Sequence, residues 1–174
     1  MILGNKEEFA LECVVDNTES EPSDYIFGHI ALWAGKFMIG DFTQTVILDV
    51  PYDYFKNSLV HCGQRKDPIL MKMTTVEAWQ FLNLALYGHN DEDDVNLDQL
   101  DLLEEKYRKF CICPGFSEAF DGETAFLIED EQGERFIWKD FTSQLVREVR
   151  LKPETYKRTI ESFIAWYSTL NTSN

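Results

Sequence analysis

Basic residues are scarce in this chain. Lys and Arg number 16 against 31 Asp and Glu in 174 residues, leaving a formal net charge of −15. Nucleic acid and anionic lipid both need a basic footprint, so such a chain repels them as a whole. Long hydrophobic runs are missing as well, and no uncharged apolar stretch approaches the ~18 residues of a membrane span. The opening MILGNKEEFALE has neither the basic start nor the apolar run of a secretory signal. These absences predict a cytoplasmic protein that binds neither nucleic acid nor membrane.

Catalytic signatures are absent too. The sequence contains no G-x-S-x-G, P-loop, G-x-G-x-x-G or H-E-x-x-H pattern, and its three histidines are His29, His61 and His89. Four cysteines, Cys13, Cys62, Cys111 and Cys113, are expected to be free and buried in a reducing compartment. His61-Cys62 and Cys111-Ile112-Cys113 lack the paired spacings of a zinc site, and on a strand Cys111 and Cys113 would share one face, as core residues do. The run NDEDDVNLD resembles a calcium loop only in composition. It has no central Gly, Val95 sits at a ligand position, and Leu102 occupies the twelfth place after Asp91. No cofactor or metal is therefore expected. Asp121 and Glu123 could pair as acid and base, but without a His or a metal motif beside them a plain turn is the simpler reading.

What is present suits a folded domain. Apolar residues make up 44% and aromatics 14%, and a chain of this length buries roughly 70% of its unfolded surface without needing a disulfide. Phe9, Leu11, Cys13 and Val15 alternate as in a strand, and FGHIALWAGKFMIGD reads as two strands, Phe27–Trp33 and Lys36–Ile39, around a turn at Ala34-Gly35. Pro51 suits a helix start, with Tyr52, Phe55 and Leu59 on one face and Gly63 as the stop. Thr74 and Glu77 form a capping box for a helix carrying Val76, Trp79, Leu82 and Leu86, with Phe81 and Leu84 adding apolar surface on another side. Such a helix is expected at the centre of the core, with Trp79 and Leu82 both buried.

A further helix follows a cap at Asn96, and its Asp98, Asp101, Lys106, Arg108 and Lys109 complement the helix dipole. TAFLIED, ERFIWKD and QLVREVRLK read as strands, and Pro153 opens a last helix with Tyr156, Ile160, Phe163, Ile164 and Tyr167 inward. Helices are thus expected near 51–62, 75–87, 97–108 and 153–169. Strands, helices, strands and a final helix predict an α+β fold, an antiparallel sheet with several packed helices, as a single domain over 1–174. The strand tryptophans Trp33 and Trp138 read equally as core or as interface anchors.

The negative charge is concentrated. Residues 91–134 hold 15 acids and 3 bases, whereas residues 135–174 hold 4 acids and 7 bases. Within this acidic third, Asp91, Glu92, Asp93 and Asp94 precede the Asn96 cap, so helix energetics do not require them. A solvated loop is the simplest account, and a binding surface for a positively charged partner is the functional one. The candidate partner-binding residues are Asp91, Glu92, Asp93, Asp94, Asp121 and Glu123, with no catalytic residue assigned.

MILGNKEEFALE, FGHIALWAGKFMIGD and FDGETAFLIED together resemble the immunity protein 42 family of bacterial polymorphic toxin systems. The shared signatures are Phe27-Gly28, Gly35-Lys36, Ile39-Gly40-Asp41 and Phe120-Asp121, and the similarity extends over most of the chain. The resemblance implies a cytoplasmic, non-enzymatic protein that neutralises a cognate protein toxin encoded beside it. A basic toxin, such as a nuclease, would fit the acidic surface. The alternative is an acidic adaptor or ligand-binding module unrelated to toxins. A carboxylate hydrolase comes third and would need a pocket on which two or more of Asp121, Glu123, Asp91 and His89 converge. Oligomeric state and toxin identity stay open at this point.

Overall fold

In the computed structural model, residues 1–16, 25–88, 97–113 and 117–171 are described. Two antiparallel sheets carry the fold. The first runs β1 (Ile2–Asn5), β2 (Phe9–Val15), β3 (Phe27–Ala34) and β4 (Phe37–Ile39) in that order, with β5 (Val46–Ile47) pairing the start of β3. The second runs β6 (Cys111–Cys113), β7 (Thr124–Glu129), β8 (Glu134–Lys139) and β9 (Val146–Leu151). Four helices complete it: α1 (Asp49–Ser58), α2 (Thr75–Tyr87), α3 (Leu97–Tyr107) and α4 (Thr155–Asn171). The expected α+β class stands.

Period-two alternation builds the layers. On β7 and β8, Ala125, Leu127, Phe136 and Trp138 point toward the first sheet and α4, while Phe126, Ile128 and Ile137 point the other way, toward α2. The second sheet is therefore buried on both faces. Between the sheets, Phe9 meets Phe136 at 5.2 Å and Tyr156 at 5.6 Å. From α4, Tyr156, Ile160, Phe163 and Tyr167 enter this core as the helical spacing predicts. The helix itself starts at Thr155, because Glu154 adopts φ 63° after Pro153.

Several local expectations shift. Ala34 ends β3, and Gly35 (φ 55°) and Lys36 (φ 75°) make the two-residue turn, the doubly positive-φ geometry that matches strand twist. Helix α2 has the expected Thr74–Glu77 capping box, but it lies on the outer face of the second sheet, away from the centre. It buries Ala78, Leu82, Ala85 and Leu86 and leaves Val76 and Leu84 exposed. Trp79 is only half-buried, with Lys139 5.4 Å above its ring. A bulge between Cys111 and Cys113 sends the first thiol to the α2 side and the second to the inter-sheet core, so they do not share a face. All four cysteines are free, and Cys62 is half-buried where burial was expected.

Candidate functional site

The β3–β4 hairpin ends in Ile39-Gly40-Asp41, and the chain here must pass close to the turn that leads into β7. Gly40 has φ 95°, and a Cβ on it would stand 2.8 Å from the Ala119 carbonyl oxygen and 2.9 Å from the Phe120 ring. Glycine makes that approach possible. The Asp41 amide then donates to the Ala119 carbonyl at 2.6 Å. Opposite, Gly122 (φ 77°) lies under Phe141 of the β8–β9 loop, where a Cβ would meet the ring at 2.7 Å. These contacts bring three segments together: residues 38–44, residues 117–123 and residues 138–142.

A cleft of about 550 Å³ opens between them. Its lining includes five carboxylates, Asp41, Glu118, Asp121, Glu123 and Asp140, and no Lys or Arg. Its apolar wall is Met38, Trp138 and Phe141. Trp138 is 2% exposed and belongs to the core, whereas Phe141 is 59% exposed and Met38 47%. An adjoining hollow under β5 shares Glu118 and Asp121 with this cleft.

The five acids differ in how well they are held. Asp41 accepts from the Thr43 amide (2.9 Å) and hydroxyl (2.6 Å), which keeps its carboxyl below the usual carboxylate range. Asp140 accepts from the Ser143 amide at 2.7 Å and pairs with Arg147 at 3.1 Å. The Ser143 bond, ahead of the arginine, likewise lowers its pKa. Arg147 also lies 4.0 Å above Phe37, so the nearest cation is already engaged. Glu123 is pushed the other way. Burial raises its pKa, a long 3.5 Å contact from the Gly40 amide offsets this in part, and the charge of Asp140 adds to the rise. Among the described residues, no Lys or Arg pairs with Glu118, Asp121 or Glu123.

The structure places Asp121 and Glu123, two of the sequence-derived site residues, together at a turn, the simpler reading of their sequence. Asp121 ends a 3-10 turn and Glu123 precedes β7. Asp91, Glu92, Asp93 and Asp94, together with His89, lie outside the described residues. Asp41, Glu118, Asp140 and Phe141 were missed by sequence reasoning. No local motif marks them as a site, and only the Ile39-Gly40-Asp41 and Phe120-Asp121 signatures pointed to this junction. No histidine lines the cleft. Among the described residues, no group of three or more His, Cys, Asp or Glu is placed to hold a metal ion, and no helix is long and apolar enough to cross a membrane.

Comparison with known proteins matches residues 1–166 to the family described as immunity protein 42. A comparison with curated proteins finds no match. Among solved structures, the crystal structure of CdiI from Burkholderia dolosa AUO158 superposes with a TM-score of 0.73. It is 16% identical, over 95% of this chain and 99% of that one, a likeness that concerns the fold. The family match spans nearly the whole chain and agrees with the signatures at the hairpin and the 120–121 turn. The chain thus belongs to the immunity protein 42 family, and it is a toxin-neutralising immunity protein rather than an enzyme.

Proposed function

We propose that this chain acts in the cytoplasm as a single domain over 1–174. In this reading it inhibits a basic cognate toxin by covering it with an acidic surface. The observation that carries the reading is the family match over residues 1–166. Supporting it are the net charge of −15 and a cleft lined by five carboxylates without a lysine or arginine. A toxin that acts on nucleic acid carries positive charge to meet phosphates, and an acidic inhibitor is steered toward such a face at long range. Asp121 and Glu123, with Asp91, Glu92, Asp93 and Asp94, supply the steering field. Apolar contacts beside them set how long the complex lasts, since charges at a rim act chiefly on encounter.

Co-expression with the toxin encoded beside this gene is the test. Cells should survive only when the immunity chain is present, and the purified toxin should lose activity at equimolar ratio. A toxin that stays active with the chain in excess would refute the reading and leave the acidic adaptor as its replacement.

A further inference from the structure

The cleft contains a carboxylate whose hydrogen-bonding capacity is not met from within the chain. Glu123 reaches only the Gly40 amide with Oε1, at 3.5 Å, where a hydrogen bond is weak. Its Oε2 is buried with no partner, although buried polar atoms in folded proteins are nearly always satisfied. Phe141 and Met38, which also line the cleft, present apolar surface to water. A donor that completes this place must therefore meet a carboxylate and cover apolar surface together.

Among basic groups, a guanidinium does both. Its planar fork pairs a carboxylate, its faces stack on aromatic rings, and its stem lies along hydrophobic surface. An ammonium supplies a compact, strongly hydrated charge and little else. Resting on the toxin-inhibitor reading above, we propose that this cleft is a docking surface for an arginine-bearing basic segment of the toxin. The guanidinium meets Glu123 and the side-chain stem lies along Phe141 and Met38. Charge complementarity selects this occupant, because Glu118 and Asp121 extend the negative lining and, with Asp140 alone paired to Arg147, no Lys or Arg of the described residues pairs with Glu118, Asp121 or Glu123. Buried arginine and aromatic anchors of this kind carry most of the energy in protein interfaces.

Two arms test this. In the first, 15N spectra of the protein are followed during titration with an oligo-arginine peptide, and with oligo-lysine and oligo-glutamate as controls. The Gly40 and Gly122 amides and the Trp138 indole should shift with arginine, shift less with lysine at equal concentration, and stay still with glutamate. Signals that do not move with arginine, or that move equally with lysine, would overturn the proposal. In the second arm, Glu123→Gln and Phe141→Ala are compared with wild type for binding the cognate toxin. Neither residue is part of the inter-sheet core, and thermal unfolding confirms the fold. Each should weaken binding by about tenfold, mostly through faster dissociation. Wild-type kinetics in both variants would also overturn it. If wild type fails to bind the toxin while arginine still titrates the cleft, the toxin-inhibitor reading falls and the arginine preference of the cleft stands.

Discussion

The β7–β8 hairpin has acidic residues at both of its ends, and the two ends treat them in opposite ways. At the turn end, Glu129 and Glu134 face each other across the strands and are both buried. Each has a partner. Glu129 accepts from the Arg65 amide at 3.0 Å and lies 3.7 Å from its fully buried guanidinium, while Glu134 accepts the Tyr156 amide at the start of α4 at 2.9 Å. Arg65 is held further by the Lys109 and Ser58 carbonyls at 2.6 and 2.8 Å. At the open end, Glu123 and Asp140 border a cleft with five carboxylates and no lining base. Acids at the first end are buried within the fold and partnered there. At the second, Asp140 is held by Ser143 and Arg147, whereas Glu118, Asp121 and Glu123 pair with no Lys or Arg of the described residues and stay available to a partner.

If that contrast is right, the largest effect on stability comes from Arg65. Changing it to Ala leaves the buried Glu129 without its counter-ion and the Lys109 and Ser58 carbonyls without their donor, and chemical denaturation should show a loss of about 3–5 kcal/mol. A loss below about 1 kcal/mol would mean that the acids at this end are not held by Arg65.

Glu134 should give the next effect, and its sign is opposite to ordinary intuition about carboxylates. Burial, reinforced by the facing Glu129, pushes its pKa up to about 7 from a usual 4.5. The folded state thus holds a proton that the unfolded chain has released. This group's contribution is fully present below pH 4.5 and is lost as pH rises through about 7. Glu134→Gln should therefore flatten the stability profile between those values and be more stable than wild type at pH 8, by roughly 1–3 kcal/mol. Parallel profiles for the two proteins would break the account of this end.

Elements with strong local signals were legible in the sequence. The capping box at Thr74 and Glu77, the inward face of α4 and the β7–β8 pair all lie where spacing puts them. Placement between layers was not legible. Helix α2 is apolar on several sides, yet it caps the outer face of a sheet, because both faces of that sheet need covering and α4 with the first sheet takes the other one. Trp79 is half-buried as a result, so Trp79→Ala should cost roughly 1–3 kcal/mol rather than the ~3–5 of a core tryptophan. The opposed directions of Cys111 and Cys113 depend on a bulge that no local residue announces. The cleft was legible only in part. Asp121 stood out within an acidic third, but Asp41 and Asp140 stand 99 positions apart in the sequence and meet only through close packing at Gly40 and Gly122.

At the open end, folding should barely notice neutralisation. Glu118→Gln and Asp121→Asn are exposed substitutions, and each should change stability by less than about 0.5 kcal/mol. A larger loss would mean that these acids are structural, like those at the hairpin's turn.

The contrast is tested most directly by stopped-flow association with the cognate toxin at low and high salt. The variant to use changes Asp91, Glu92, Asp93, Asp94 and Asp121 to their amides, with Glu129 and Glu134 left intact. The account predicts slower association at low salt, a flatter salt dependence, and convergence with wild type at high salt, where exposed charges are screened. On-rates equal to wild type at low salt would contradict it, and would make the acidic third a solvated surface without a part in toxin capture.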